Sequence, residues 1–382
     1  MAAGSLLLTT SNMLGEGTSL QEVAGLFTKL GLTAFGGPAA HIAMMQKEVV
    51  DRRQWMDHQH FLDLIGATNL IPGPNSTEMA IHIGHERRGW KGLLVAGCCF
   101  ILPAVLITGV IAWLYKQYGQ LPQVRPFIYG IKPAIIAIIL AAVFPLARRA
   151  MKSVELWVIG ALSLGASLAG LNEMVVMFGT GLVVLLLYVM RRPGRTTLSF
   201  LLLEVPFFSG ANVRIFLVFL KIGAILYGSG YVLFAFLDSE LVAKGLLSRT
   251  QLVDAIAVGQ FTPGPVFSSV TFIGWQMNGL PGAMMATVAV FLPSFVFVAL
   301  LNPLVPRMRR SGLFSAFLDG VNVASVAIII TVCIVFTRET VTDWRTTLIA
   351  GLSLVFTFGF RKVNTVFLVV GSALGGYVLL LI

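Results

Sequence analysis

LDLIGATNLIPGP at Leu62–Pro74 returns as VDAIAVGQFTPGP at Val253–Pro265, each an apolar stretch closed by proline–glycine–proline. The correspondence extends in both directions. Upstream, FTKLGLTAFGGP (Phe27–Pro38) parallels FLKIGAILYGSG (Phe219–Gly230), and Glu48 parallels Glu240. Downstream, Ile83-Gly84 pairs with Ile273-Gly274, Gly89-x-x-Gly92 with Gly279-x-x-Gly282, Leu102-Pro103 with Leu292-Pro293, and Gly130 with Gly320. The spacing holds at about 190 residues, and an ordered series of this kind marks an internal repeat. The chain reads as two homologous halves, residues 20–195 and 210–382, joined around RRPGRTT (Arg191–Thr197).

Composition sets the medium in which those halves fold. Of 382 residues, 57% are hydrophobic and 12% charged, whereas a soluble domain carries about 25% charged residues. The mean hydropathy is +0.87. Apolar stretches run through Gly92–Tyr115, Ala134–Leu146, Leu156–Met190 and Val363–Ile382, and bilayer-spanning helices are built from such stretches. The 39 glycines and 16 prolines fit, because transmembrane helices tolerate both better than soluble ones. The expected fold is an all-α polytopic membrane protein.

A net charge of +10 does not point to nucleic acid, because the basic residues sit in short loops between apolar runs. Arg87, Arg88 and Lys91, then Arg148, Arg149 and Lys152, then Arg191, Arg192 and Arg195, then Arg307, Arg309 and Arg310 form the positive-inside pattern. Cys98, Cys99 and Cys333 give no CxxC and read as packed small hydrophobes. The N-terminus lacks the basic region and long apolar run of a cleavable signal. No GxxxxGK[ST] occurs, so any transport is secondary or passive unless a separate subunit supplies energy, and no cofactor is called for.

Loop charge indicates how the halves sit. His85–Lys91 and Arg148–Lys152 are basic, while their counterparts Trp275–Leu280 and Arg338–Arg345 carry no net charge. The bias reverses between Lys116–Arg125 and Arg307–Arg310. That flip signals inverted-topology repeats. Inversion needs an odd number of crossings between equivalent points, yet each half shows about six apolar segments. Either the FGGP segment is re-entrant, or Leu198–Val213 crosses as an extra helix. The first solution is preferred, and the total lies between about ten and thirteen crossings.

The chemistry is expected at the breaks. Phe35, Gly36, Gly37 and Pro38, and then Pro72, Gly73 and Pro74, interrupt apolar segments, because proline lacks the N–H and glycine relaxes the backbone. Pro38 and Pro74 should each open a half-helix with its positive end in the protein interior. The repeat adds Tyr227, Gly228, Ser229 and Gly230, with Pro263, Gly264 and Pro265. Irregular backbone at membrane depth persists only where protein or a cavity surrounds it, and helix N-termini suit anions. Simple packing kinks are the structural alternative.

Around the breaks, Asn75, Ser76 and Thr77, with Ser268 and Ser269, supply donors. Lys29 and Lys221 occupy matched positions before the breaks, either balancing a substrate's charge or snorkelling to the interface. Glu78 is the candidate proton carrier, with capping of the helix dipole as its structural role. Asp63 and Asp254 form a matched acidic pair read as helix caps. The five histidines, His41, His58, His60, His82 and His85, all fall in the first half, and His82-x-x-His85-Glu86 is not read as a metal site. Gly371-x-x-x-Gly375 reads as a close helix-packing face.

FGGPxxHIxMM (Phe35–Met45), KEVVDRRQW (Lys47–Trp55) and a PGP in each half resemble the two-domain chromate ion transporters over nearly the whole chain. The resemblance implies a bacterial plasma-membrane carrier that exports chromate, with sulfate as a look-alike competitor and two halves of opposite orientation. It maps motif positions onto Phe35, Gly36, Gly37, Pro38, His41, Glu48, Pro72, Gly73 and Pro74, and onto Pro263, Gly264 and Pro265. The second half departs with Tyr227 and Ser229 where Phe and Gly are expected. In this reading the dianion sits between half-helix N-termini and one half rocks against the other. The alternatives are an uptake carrier for sulfate or a related oxyanion, an intramembrane enzyme, and a channel. The partners are chromate or sulfate and the lipid bilayer; a homodimer is left open.

Overall fold

The computed structural model describes residues 18–35, 37–119, 121, 124–191, 211–227, 230–301, 311–359 and 365–381. Of the positions singled out above, Gly36, Gly228, Ser229, Arg307–Arg310, residues 192–197 of the junction and residues 198–210 of Leu198–Val213 lie outside them.

Fourteen helices and no strand occur among the described residues, seven helices in each half. The first half holds α1 (Leu20–Thr33), α2 (Gly37–Gln46, running into a π-turn at Lys47–Arg52), α3 (His58–Thr68) and α4 (Asn75–Tyr118). It continues with α5 (Arg125–Ala150), α6 (Val154–Leu168) and α7 (Glu173–Arg191). The second half repeats the order. It begins with α8 (Ala211–Ile225), α9 (Val232–Leu237, then a π-turn at Asp238–Val242), α10 (Arg249–Phe261) and α11 (Ser269–Leu301, after a 3₁₀ turn at Val266–Ser268). It ends with α12 (Gly312–Thr340), α13 (Trp344–Gly359) and α14 (Thr365–Leu381). Five stretches are long and apolar enough to cross a membrane: α4, α5, α7, α11 with its 3₁₀ turn, and α12.

Helix starts follow local side-chain chemistry. Ser19 and Ser248 close capping boxes with Glu22 and Gln251, and Asp57 caps α3 by accepting from His60 N–H. Asp63 and Asp254 lie inside α3 and α10, so the caps are Asp57 and Ser248 and the sequence-based capping role does not hold.

α4 is not one rod. Ile81 and Gly97 would stand about 24 Å apart on a straight helix, yet Ile81 Cγ1 lies 2.9 Å from where a Gly97 Cβ would be. The chain reverses at Arg88 (φ −145°, ψ 25°) and Gly89 (φ 56°, ψ −142°). α11 reverses identically at Asn278 (φ −149°, ψ 35°) and Gly279 (φ 58°, ψ −149°). Glycine is required there because an L side chain at that φ and ψ is strained.

These reversals make both breaks of each half re-entrant. Arg87, at the α4 reversal, donates to Trp55 O at 3.0 Å and to Thr18 Oγ1 at 2.5 Å. His60 in the first turn of α3 meets Glu86 at 2.7 Å. The start of α1, the end of the α2 π-turn, the start of α3 and the α4 reversal therefore share one end of the bundle. Two hairpins, α1–α2 and α3 with the first arm of α4 (residues 75–87), enter and return. The sequence reading made only FGGP re-entrant; PGP is re-entrant as well. The second arm of α4 (residues 90–118), α5, α6 and α7 then run the length of the bundle.

The halves lie antiparallel. Arg191 closes α7 on Glu155 of α6 at 2.5 Å, which keeps that junction at the first end. Beside it, Lys152 meets Asp319 in the opening turns of α12 at 2.6 Å. At the second end Tyr129, in the opening turn of α5, donates to Asp343 at the start of α13. So α5 and α12 begin at opposite ends. α7 packs on α12 and α14 on α5, each pair crossing where glycine removes a side chain: Gly181 against Gly320, and Gly376 against Gly130. Gly371 and Gly375 have nothing within 4 Å, so the intrachain packing face is Gly376 and not that pair.

The core lies where the halves meet. Residues 134–139 of α5 and 323–329 of α12 are buried all round, as expected for helices enclosed by others. Leu102, Leu106, Val110, Leu162, Val175 and Phe367 point outward. Of the cysteines only Cys333 is buried; Cys98 is exposed.

Candidate functional site

The breaks are built as reciprocal pairs. Gly73 N–H donates to Leu226 O at 2.7 Å, and Gly264 N–H donates to Ala34 O at 2.9 Å. Each PGP therefore docks on the break at the end of the other half's first helix, as two-fold-related partners do. Gly73 has φ 138° and Gly264 φ 88°, conformations that L side chains resist. A Cβ on Gly73 would fall on Glu78 Oε1 and Ser294 Oγ; one on Gly264 would stand 2.8 Å from Ala104 Cβ. Gly37 (φ 80°) opens α2 with Pro38 behind it, and a Cβ there would lie 3.0 Å from the Tyr231 hydroxyl. Pro74 is the N-cap of α4 and not its first helical residue. Thr77 and Glu78 N–H close on its carbonyl, and the preceding N–H groups face the break.

Buried polar groups ring these four points. His41, 1% exposed, lies one turn into α2 with Nδ1 3.3 Å from Ser76 Oγ and its ring edge-on to Phe100. Asn75 donates to Asn69 at 2.7 Å. Glu78 is fully buried and accepts from Ser294 of α11 at 3.5 Å. On the other side Tyr231 donates to Gln260 Oε1 at 3.4 Å, and Thr108 donates to Ser268 at 3.4 Å. Ser325 donates to the Tyr227 carbonyl at 3.4 Å. Five buried atoms here have no hydrogen-bond partner among the described residues: His41 Nε2, Thr77 Oγ1, Glu78 Oε2, Gln260 Nε2 and Ser269 Oγ. Leaving such a group unpaired costs about 1–3 kcal/mol each, so their gathering needs an explanation.

The matched lysines do something other than expected. Lys29 Nζ lies 2.9 Å from Glu48 Oε1, and Arg52 and Arg53 bind the same carboxylate. Lys221 lies 2.9 Å from Glu240, which also holds Lys244. The lysine side chains are 53% and 42% exposed while the glutamates are nearly buried. One carboxylate is shared by three cations in the first half and by two in the second, and these clusters clamp the return of each first hairpin. Each lysine is thus engaged by a glutamate of its own half.

His82 is buried with both ring nitrogens unpartnered among the described residues, and His85 packs on Trp90. No group of three metal-type side chains gathers among the described residues.

Sequence reasoning missed Tyr231, Gln260, Ser294, Thr108 and Ser325. One signal was available: Asn69 and Gln260 each stand three residues before PGP, a matched polar pair in apolar surroundings.

Two antiparallel copies of a seven-helix unit, with interrupted helices meeting inside, define a multi-pass membrane protein of the duplicated, re-entrant class. The chain belongs to the chromate transporter family, whose model, described as "Chromate transporter", matches residues 21–186 and again 213–377. A "Chromate transport protein" of Cupriavidus metallidurans is 30% identical over 378 residues, spanning 94% of this chain and 93% of that protein. A "Probable chromate transport protein" of Synechococcus elongatus is 29% identical, with 94% and 95% covered. The "Uncharacterized transporter YwrA" of Bacillus subtilis is 27% identical over 142 residues, 37% of this chain and 79% of its own length. No solved structure matches.

Proposed function

We propose that the chain is a secondary carrier that exports chromate across the bacterial plasma membrane by rocking one half against the other. The observation that carries this reading is the set of five unpartnered buried polar atoms at the four reciprocal breaks. Thr77, Ser269, Gln260 and His41 offer hydroxyl, amide and imidazole donors. A tetrahedral oxyanion leaving water needs several donors at once, and the half-helix N-termini add theirs.

Orientation follows from charge. Arg52, Arg53, Arg87, Arg88, Arg148, Arg149 and Arg191 collect at the first end, so that end faces the cytoplasm by the positive-inside rule. Export of a dianion from an inside-negative cell releases roughly 4.6 kcal/mol per 100 mV, so it needs little coupling. Flux of radiolabelled chromate into everted vesicles tests the reading. Saturable uptake that collapses in the Thr77→Val/Ser269→Ala double variant is expected, and no saturable oxyanion flux in wild type overturns it.

A second reading, sulfate uptake coupled to protons, is supported by Glu78. It is fully buried with one unpartnered oxygen, and a carboxyl in that setting takes up a proton without breaking an ion pair. Under this reading Glu78→Gln abolishes accumulation; under export it leaves flux largely intact. An enzyme is not proposed, because the breaks are reciprocal and much of their chemistry is backbone.

A further inference from the structure

A third lysine lies inside the bundle, and neither the repeat nor the breaks account for it. Lys132, in the second turn of α5, is 20% exposed, against 42% for Lys221 and 53% for Lys29. Its Nζ stands 3.0 Å from Asp254 Oδ1 on α10, in the other half. Tyr115, near the end of α4, donates to Asp254 Oδ2 at 2.5 Å. Asp254 is 4% exposed, so a buried carboxylate is held by a cation and a hydroxyl, both from the first half. The repeat offers no equivalent, because the position about 190 residues after Lys132 is Asn322. The scaffold therefore does not require this cluster.

Tyr115 and Asp254, with Ile131 next to Lys132 in the chain, line a cavity of about 340 Å³ whose wall also includes Tyr118, Val258 and Phe261. The cavity follows α10 from Asp254 to Phe261, the last helical residue before the second PGP. It thus runs from the second end along α10 as far as Phe261, the neighbour of Gln260 in the chain. Its walls are mostly apolar, and an anion passing through them needs a cation on the way.

We propose that Lys132 and Tyr115 form an outer oxyanion station on the pathway, and that Asp254 occupies it while the second end is closed. This rests on the transport reading above. A carboxylate and an oxyanion accept from the same donors. Opening of the second end between α5 and α10 parts Lys132 from Asp254, and the exposed ammonium and phenol then take the anion in the carboxylate's place. When the halves close again, Asp254 returns and expels it. Lys132 is thus a substrate-binding residue, and Asp254 is its competitor.

The test is sided. Half-saturation of radiolabelled chromate and sulfate exchange is measured in right-side-out and everted vesicles. Lys132→Ala should raise it about tenfold or more in right-side-out vesicles, the size of one lost charge-assisted contact, and leave everted vesicles unchanged. Lys132→Arg should retain most of the affinity, and Asp254→Asn should lower half-saturation on the same side. If Lys132→Ala fails to insert, the Asp254→Asn arm decides. Equal shifts on both sides, no shift, or recovery of Lys132→Ala by Asp254→Asn would show a merely structural ion pair and overturn the proposal. Wild-type vesicles that carry neither anion overturn the transport reading and this inference with it.

Discussion

The two halves share a scaffold and differ in chemistry. Gly73 and Gly264 make the same bond to the opposite half, Gly89 and Gly279 the same reversal, and Glu48 and Glu240 the same lysine clamp. Yet the first PGP leads into Asn75, Ser76, Thr77 and Glu78 facing His41, and the second leads into Val266 and Phe267 near Tyr231 and Gln260. The second is also one residue shorter before its Ile-Gly pair. The 3₁₀ turn at Val266–Ser268 absorbs the difference. Three residues rising about 2.0 Å each cover the roughly 6 Å that four α-helical residues cover. Backbone geometry is thus kept equal where the halves must interlock, and side chains have diverged around the breaks.

The sharpest way to break that comparison is at the interlock. Gly73→Ala and Gly264→Ala should both abolish flux and reduce folded yield on size exclusion, each adding about 1–3 kcal/mol of backbone strain besides the collision. Tolerance at one position alone would mean that the halves do not share the constraint. Next comes the divergent chemistry. His41→Ala should cut chromate flux about tenfold or more, as loss of a buried polar contact does. Leu233→Ala, at the matching position, should act on thermal stability and leave half-saturation unchanged.

The carboxylate clamps come third. Glu48→Gln strands three cations and Glu240→Gln two, so the former should lower the melting midpoint further. Lys29→Ala, with Arg52 and Arg53 still on Glu48, should cost under about 1 kcal/mol and keep transport. The smallest effect is expected from Arg191→Ala, whose exposed pair with Glu155 should leave thermal melting unchanged.

Duplication, helical class and the location of the breaks were legible in the sequence, because glycine and proline act through the backbone and leave the same mark in both copies. Inversion was legible in the loop arginines. The second re-entrant hairpin was not, since a reversal at Arg88-Gly89 reads as an ordinary basic loop. The partner of Lys29 was not legible for a related reason: Glu48 lies 19 residues away across a hairpin. Ser294 was invisible because a single polar residue in an apolar run does not say which element it faces.

α6 and α13 have only 15 and 16 residues, about 22–24 Å of helix, against a hydrocarbon layer of about 30 Å. Trp157 and Trp344 mark their starts at opposite ends of the bundle, each more than half exposed, where indole rings prefer the headgroup level. Lipid beside these two helices must dimple inward from both leaflets. Under the rocking proposed above, acyl-chain length in reconstitution should alter flux, with shorter chains favouring turnover.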